Sequence, residues 1–344
     1  MLGREDIGVD LGTATVLMYI KGRGIVLREP AMVAVDRNTR NILAVGDDAK
    51  RMQGRTPSHV TTIRPLKDGS IADFDITERM LRYFIHKVIG RRMLFRPRAV
   101  VCVPSAVTDV EKRSVIEAML DAGARRTQLM DSAVAGALGA GLDVTHAYGS
   151  LVVDIGGGVT DITVVSLERA VVRSTVKIAG DQFDETIIRY LRRKHNLMVG
   201  ERTAEELKLT IGAAIQRTEK LYMDVTGRNL VSGLPKTMRV HSDEIYEALE
   251  EPIQALVEQV HAVLERTPPE LAADIFDHGI TLIGGGAQLF GLDKALSKHL
   301  KVRCRLAEDA QGCVAMGAGR AMEGDEEFGR AMFDFRQPRK YMSA

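Results

Sequence analysis

The chain has few cysteines, Cys102, Cys304 and Cys313, and no C-x-x-C pair. An odd, scattered set excludes a disulfide framework and speaks against a zinc site, so a reducing cytosol is expected. Neither charge sign is in excess, with 47 basic residues against 46 acidic. No nucleic-acid partner is expected from that balance. No apolar run approaches about 18 residues, and the charged start Met1-Leu2-Gly3-Arg4-Glu5-Asp6 runs straight into a strand pattern. Neither a spanning helix nor a signal peptide is expected. The eight histidines form no H-E-x-x-H, no G-x-S-x-G occurs, and the dipeptide Gly-Lys is absent. Zincin, serine-hydrolase and Walker-loop chemistry are thereby excluded.

What is present is a pair of aspartate-glycine turns. The first is Ile7-Gly8-Val9-Asp10-Leu11-Gly12-Thr13-Ala14-Thr15, and the second is Leu151-Val152-Val153-Asp154-Ile155-Gly156-Gly157-Gly158-Val159-Thr160-Asp161. Each is an apolar β-branched run, an Asp, a Gly/Thr turn and a second apolar run, which predicts a β-hairpin with a carboxylate at its tip. Glycine admits close backbone approach, and successive N–H groups form an anion-binding nest. Two such tips face to face clamp a polyphosphate, and their carboxylates Asp10 and Asp154 suit Mg²⁺, held through water. A third run, Gly284-Gly285-Gly286, follows the apolar stretch Thr281-Leu282-Ile283. Taken singly, each turn is also what an ordinary hairpin looks like; it is the ordered set that points to a nucleotide.

The length, 344 residues, allows two domains. Strands are expected over 5–35 and a small polar excursion over 36–68. Asp75-Ile76-Thr77-Glu78 predicts a capped helix carrying Met80, Leu81, Phe84, Ile85 and Val88. Val100–Pro104 reads as a buried strand, Thr108-x-x-Glu111 as the cap of a helix closed by Gly123, and 133–142 as a small-residue helix packed close to another backbone. The second half repeats the order: a hairpin over 151–177, helices over 181–194 and after a Thr203-x-x-Glu206 cap, a polar excursion over 218–241, a long helix over 243–264, a helix entered through Thr267-Pro268-Pro269-Glu270, and a small-residue helix over 315–321. Two similar α/β halves, each with an inserted piece, are predicted.

These strings resemble the actin/Hsp70/sugar-kinase superfamily. Leu151–Gly158, Ile178-Ala179-Gly180-Asp181, Gly200-Glu201-Arg202-Thr203-Ala204, Leu230-Val231-Ser232-Gly233-Leu234-Pro235-Lys236 and Thr267-Pro268-Pro269-Glu270-Leu271 narrow the resemblance to the MreB/Mbl family of bacterial actins, over roughly 5–322. The resemblance implies an α/β, actin-like ATPase fold with two ribonuclease-H-like lobes, each bearing a smaller inserted subdomain, and a nucleotide cleft between them. The implied divisions are 1–35, 66–145 and 315–344 for the lobe I core, with 36–65 as its insert. For lobe II they are 146–181 and 243–314, with 182–242 as its insert. ATP or ADP with Mg²⁺ is implied as cofactor, on Gly12, Thr13, Ala14, Gly156, Gly157, Gly158, Glu205, Lys208, Gly284, Gly285 and Gly286. Asp10, Asp154, Asp131, Ser132 and Thr160 form the implied catalytic set. Implied partners are further copies in double filaments, the inner face of the cell membrane, and elongation proteins such as MreC, MreD and RodZ. A small-molecule kinase or chaperone-type ATPase is the alternative within the superfamily.

Two residues depart from the family. Ser132 stands where a Glu orients the attacking water, and Val159 stands where most relatives have Thr. Hydrolysis is therefore expected to be slow, because phosphoryl transfer depends on positioned water and charge. Arg91-Arg92-Met93-Leu94-Phe95-Arg96-Pro97-Arg98 is read as a membrane wedge of Met93, Leu94 and Phe95, its plain alternative being a loop tucked onto the core. Each arginine contributes about 1 kcal/mol near an anionic leaflet, and burying Leu94 and Phe95 adds about 1.5–3 kcal/mol each. The aromatic and basic tail 328–341 is read as a frayed end or a second contact.

Overall fold

A computed structural model describes residues 6–90, 96–104, 106–323 and, for the backbone, 332–333. The wedge residues Met93, Leu94 and Phe95 and nearly all of the 328–341 tail lie outside the described residues.

The first half runs β1 (Ile7–Leu11), β2 (Thr15–Ile20) and β3 (Gly24–Pro30), then a small insert of β4 (Val33–Asp36), β5 (Ile42–Val45), α1 (Asp47–Met52) and β6 (Val60–Ile63). Short strands β7 (Leu66–Lys67) and β8 (Ser70–Ile71) lead to α2 (Phe74–Ile89), β9 (Arg98–Val103), α3 (Asp109–Asp121), β10 (Arg126–Asp131) and α4 (Ser132–Gly139). The second half runs β11 (Ser150–Ile155), β12 (Thr160–Ser166), β13 (Arg169–Val176), α5 (Gly180–His195), β14 (Leu197–Met198), α6 (Glu201–Ile211), β15 (Tyr222–Asn229), β16 (Pro235–His241), α7 (Ser242–Arg266) and α8 (Pro269–His278). It closes with β17 (Ile280–Ile283), α9 (Leu292–Leu300), β18 (Cys304–Leu306) and α10 (Cys313–Glu323). A last strand, β19 (Met332–Phe333), pairs with β10.

The two main sheets repeat one plan. Their orders are β3-β2-β1-β9-β10 (with β19 at the edge) and β13-β12-β11-β17-β18. In each, the Asp-bearing strand has an antiparallel hairpin partner on one side and a parallel strand on the other. Strand alternation sends Ala99, Val101 and Val103 to a core with α2 and α3, and Val100 and Cys102 to the opposite face. Likewise Leu151, Val153 and Ile155 face α5, α7 and α9, while Val152 faces the other way. The inward faces of both sheets, with α4 and α10 between them, form one shared core.

Backbone-to-backbone packing of α4 on α10 makes that core thin. A Cβ added at Gly317 would stand 1.7 Å from the Ala135 carbonyl oxygen, and one at Gly139 would stand 1.8 Å from that of Cys313. Gly139 and Gly317 mark the close packing expected of these two helices, whereas Gly141 lies past the end of α4 in open space. Arg320 of α10 also donates to the Leu138 carbonyl near the end of α4.

Three helix starts differ from the sequence reading. Asp73, not Asp75, caps α2, because its carboxylate accepts from the Ile76 N–H. The start of α6 is at Glu201 with Gly200 as cap, so Thr203 lies inside the helix and is not its cap. Thr267 does not cap α8; its hydroxyl donates back to the Val263 carbonyl, and Pro268 takes the cap position. The Thr108–Glu111 capping box forms as expected.

Candidate functional site

Both aspartate turns fold as hairpin tips closed by the same bond. Gly12 N–H donates to the Thr15 carbonyl at 3.1 Å, and Gly156 N–H to the Val159 carbonyl at 3.0 Å. The tips meet across the lobes. A Cβ on Gly157 would approach the Ala14 Cβ to 2.4 Å, and one on Gly158 would lie 3.0 Å from Thr13. Only glycine fits at 157. The second tip is held from behind by the first turn of α5, whose Gly180 and Asp181 N–H groups donate to the Gly156 and Gly157 carbonyls at 3.1 and 2.8 Å. Lys208 supports that turn, donating to the Gly180 carbonyl and pairing with Asp184 at 2.9 Å. The first tip is tied through Thr13 Oγ1, which accepts from Gly69 N–H at 3.1 Å. Gly284 lies directly beside Asp154: its φ is +86°, and a Cβ there would stand 2.4 Å from the Asp154 carboxylate.

The tips bound a cleft of about 380 Å³. Asp10, Gly12, Thr13, Ala14, Ser132, Asp154, Gly156, Gly157, Gly158, Glu205, Lys208, Gly284, Gly285 and Gly286 all line it. Asp131 and Thr160 are not among its lining residues. The Asp131 carboxylate caps α4, accepting from Ala133 N–H at 2.9 Å. Buried Thr160 donates its hydroxyl to the Ile178 carbonyl at 2.5 Å. Both side chains make local backbone bonds, and the charge of Asp131 also raises cleft-lining Asp161.

The sequence reading missed Asp161, Asp181, Asp184, Arg64 and Lys50, all of which line the cleft. Asp161 was findable: hairpin register sets it opposite Asp154, on the same face of the sheet. Nothing local marks the others.

Burial dominates the electrostatics. It pushes the Asp10 carboxyl up to about 7. Burial, then the charges of Asp10 and Asp161, push Asp154 well above the usual carboxylate range. Asp161 rises to about 6 through burial, although the Thr175 hydroxyl donates to it. Asp184 rises to about 6 because burial outweighs its Lys208 partner. Such a set favours a cation in the cleft. Among the described residues no cluster of three or more His, Cys, Asp or Glu side chains is arranged to hold a metal by itself. Two carboxylates on facing tips fit Mg²⁺, which takes one or two protein carboxylates and completes its shell with phosphate oxygens and water. The buried Ser132 hydroxyl has no hydrogen-bond partner among the described residues.

A profile of the MreB/Mbl protein family matches residues 4–330. The cell shape-determining protein Mbl of Bacillus cereus is 48% identical over 319 residues, covering 93% of this chain and 96% of the relative. The cell shape-determining protein MreB of Escherichia coli is 47% identical over 334 residues, 96% of each chain. The crystal structure of MreB5 of Spiroplasma citri bound to ADP superposes with a TM-score of 0.89 at 34% identity, covering 94% of this chain and 97% of that one.

The raised carboxylates set a pH dependence. With ordinary values near 3.8 when unfolded, Asp10, Asp161 and Asp184 keep protons in the native state that the unfolded chain has lost. Their contribution to stability is full below about pH 4 and is lost as pH rises through about 6 to 7. Without nucleotide or divalent cation, the midpoint of thermal unfolding should therefore fall between about pH 5 and pH 8, and Asp10→Asn should flatten that fall. A wild-type midpoint that is flat or rises over this range would contradict the assignment.

Proposed function

Because this chain belongs to the MreB/Mbl family of bacterial actins, we propose that it binds ATP or ADP with Mg²⁺ between its two hairpin tips and assembles into nucleotide-dependent filaments. Its cellular role is cell-shape determination, the role its relatives' names carry. The observation that carries the nucleotide reading is the pair of glycine tips in mutual contact, each backed by a half-buried carboxylate. The ADP bound to the Spiroplasma relative supports it. No feature of the comparisons favours a small-molecule kinase or a chaperone.

In this reading Thr13 and Ala14 on one tip and Gly157 and Gly158 on the other present N–H groups to the phosphates, while Gly12 and Gly156 border them and spend their own N–H groups closing each turn. Gly284, Gly285 and Gly286 border the nucleoside side with Glu205 and Lys208. Mg²⁺, when bound, supplies charge neutralisation at the phosphates, and Asp10 and Asp154 are the residues to hold it. Ser132 offers the attacking water a single hydroxyl where a carboxylate would both accept a proton and orient the molecule, so hydrolysis is slow. The lobe boundaries at residues 36, 66, 146, 182, 243 and 315 belong to the same proposal. So do double filaments, the inner face of the cell membrane, and contacts with MreC, MreD and RodZ. No helix among the described residues is long and apolar enough to cross a membrane. The attachment proposed is peripheral, through Met93, Leu94 and Phe95 between Arg91, Arg92, Arg96 and Arg98, and many copies on a filament bind by avidity.

Three measurements test this reading. In calorimetric titration, Asp154→Ala should weaken Mg²⁺-dependent ATP binding more than about tenfold, equivalent to ~1.4 kcal/mol; equal affinity removes the carboxylate from the site. In single-turnover assays, Ser132→Glu should raise the hydrolysis rate, within the range of about 10²–10⁴-fold that acid–base groups contribute. A flat or lowered rate gives the water-orienting role to another residue, with Asp161 next in line. In flotation with anionic liposomes, Leu94→Ser with Phe95→Ser should abolish co-flotation and leave sedimentation of filaments intact. Equal flotation of variant and wild type moves the membrane contact elsewhere.

A further inference from the structure

The insert of lobe I reaches across the mouth of the cleft to lobe II at three points. Lys50 Nζ, in the last turn of α1, donates to Glu205 Oε1 on α6 at 2.9 Å. Gln53 Nε2, just past α1, donates to Glu201 Oε2 at the start of α6 at 3.0 Å. Arg64 Nη1, just past β6, donates to Asp181 Oδ1 in the first turn of α5 at 2.6 Å. Lys50, Arg64, Asp181 and Glu205 all line the cleft.

We propose that Lys50, Gln53 and Arg64 are nucleotide-retention residues: they clasp the insert to α5 and α6 over the cleft, and their contacts part each time nucleotide exchanges. The proposal rests on the nucleotide reading of the same cleft and adds to it the step that sets dwell time.

The acceptors connect the clasp to the phosphate tip. Asp181 accepts Arg64 through its side chain, while its own N–H holds the Gly157 carbonyl of the second tip. Glu205 lies three residues before Lys208 on α6, and Lys208 holds the Gly180 carbonyl in that same α5 turn. Pulling the insert away therefore releases side chains that share a helix turn with the support of the tip. The pairs are only partly shielded, with side-chain exposures of 37% and 26% for Lys50 and Glu205 and 28% and 35% for Arg64 and Asp181. Half-exposed pairs contribute little individually, so three acting together slow opening without locking the cleft. The lobes stay joined when the clasp opens, because the α4–α10 core shares none of these residues.

The test is release of a fluorescent N-methylanthraniloyl-ADP from the full chain, followed by stopped flow at concentrations where the protein sediments as a monomer. Lys50→Ala and Arg64→Ala should each speed release about two- to fivefold, and the double variant about tenfold, in line with partly exposed ion pairs. Raising salt from about 0.05 M to about 0.5 M should speed wild-type release by a similar factor and leave the double variant nearly unchanged, because screening acts only where the pairs exist. Arg64→Asp combined with Asp181→Arg should restore slow release that Arg64→Asp alone loses. Faster release in the double variant with the wild type's salt response would mark a general loosening of structure and overturn the clasp, as would release rates equal to wild type. Failure of the wild type to bind the fluorescent nucleotide at all would instead sink the nucleotide reading beneath it.

Discussion

Gly139 and Gly317 let two helices touch through their backbones, and the rest of the site depends on that contact. Helix α4 leaves the last parallel strand of the first sheet before the lobes join, and α10 follows the corresponding strand of the second. Each glycine costs about 1 kcal/mol of helix propensity relative to alanine. In return the helices approach to a distance at which a single methyl group would overlap a carbonyl oxygen of the partner helix. That spacing sets how far apart the two sheets lie, and hence whether the tips at Asp10 and Asp154 meet. A side chain at 317 would push the lobes apart at the core, and the gap would open at the cleft.

The cleft brings together groups that repel when ionised. Four carboxylates, Asp10, Asp154, Asp161 and Asp184, are each raised chiefly by burial, and only Asp184 has a lysine paired with it among the interactions described. A chain that folded only for stability would gain by replacing some of them with amides or apolar residues. In the proposed reading they serve a cation and a polyphosphate, whose binding would offset their mutual repulsion.

Ser132 follows the capping residue Asp131 into the first turn of α4, where its buried hydroxyl lines the cleft without a partner among the described residues. In the proposed reading, the position that would manage water thus carries no charge. Asp161 supplies a buried carboxylate on the neighbouring hairpin.

The hairpins, the apolar strands and the glycine runs were legible because each is a local code. Strand alternation repeats every two residues and helix packing every three or four, so Val100–Val103 and Met80–Ile85 announced their buried faces without knowledge of any partner. Helix starts were less legible: Asp73 rather than Asp75 caps α2 because its carboxylate is the one that reaches a free N–H, and Gly200 and Pro268 hold the cap positions of α6 and α8 with no side-chain bond at all. The close-packing role of Gly139 and Gly317 could be suspected from composition, but their mutual contact could not be located. Least legible were the cross-lobe pairs. Lys50 and Glu205 are 155 positions apart, and nothing in either neighbourhood names the other. The sequence by itself determined two like halves, each ending a strand in an aspartate and a glycine turn. Tertiary structure alone decided that the turns touch and that the insert reaches across the cleft, because those outcomes depend on the distance between lobes, which no local pattern carries.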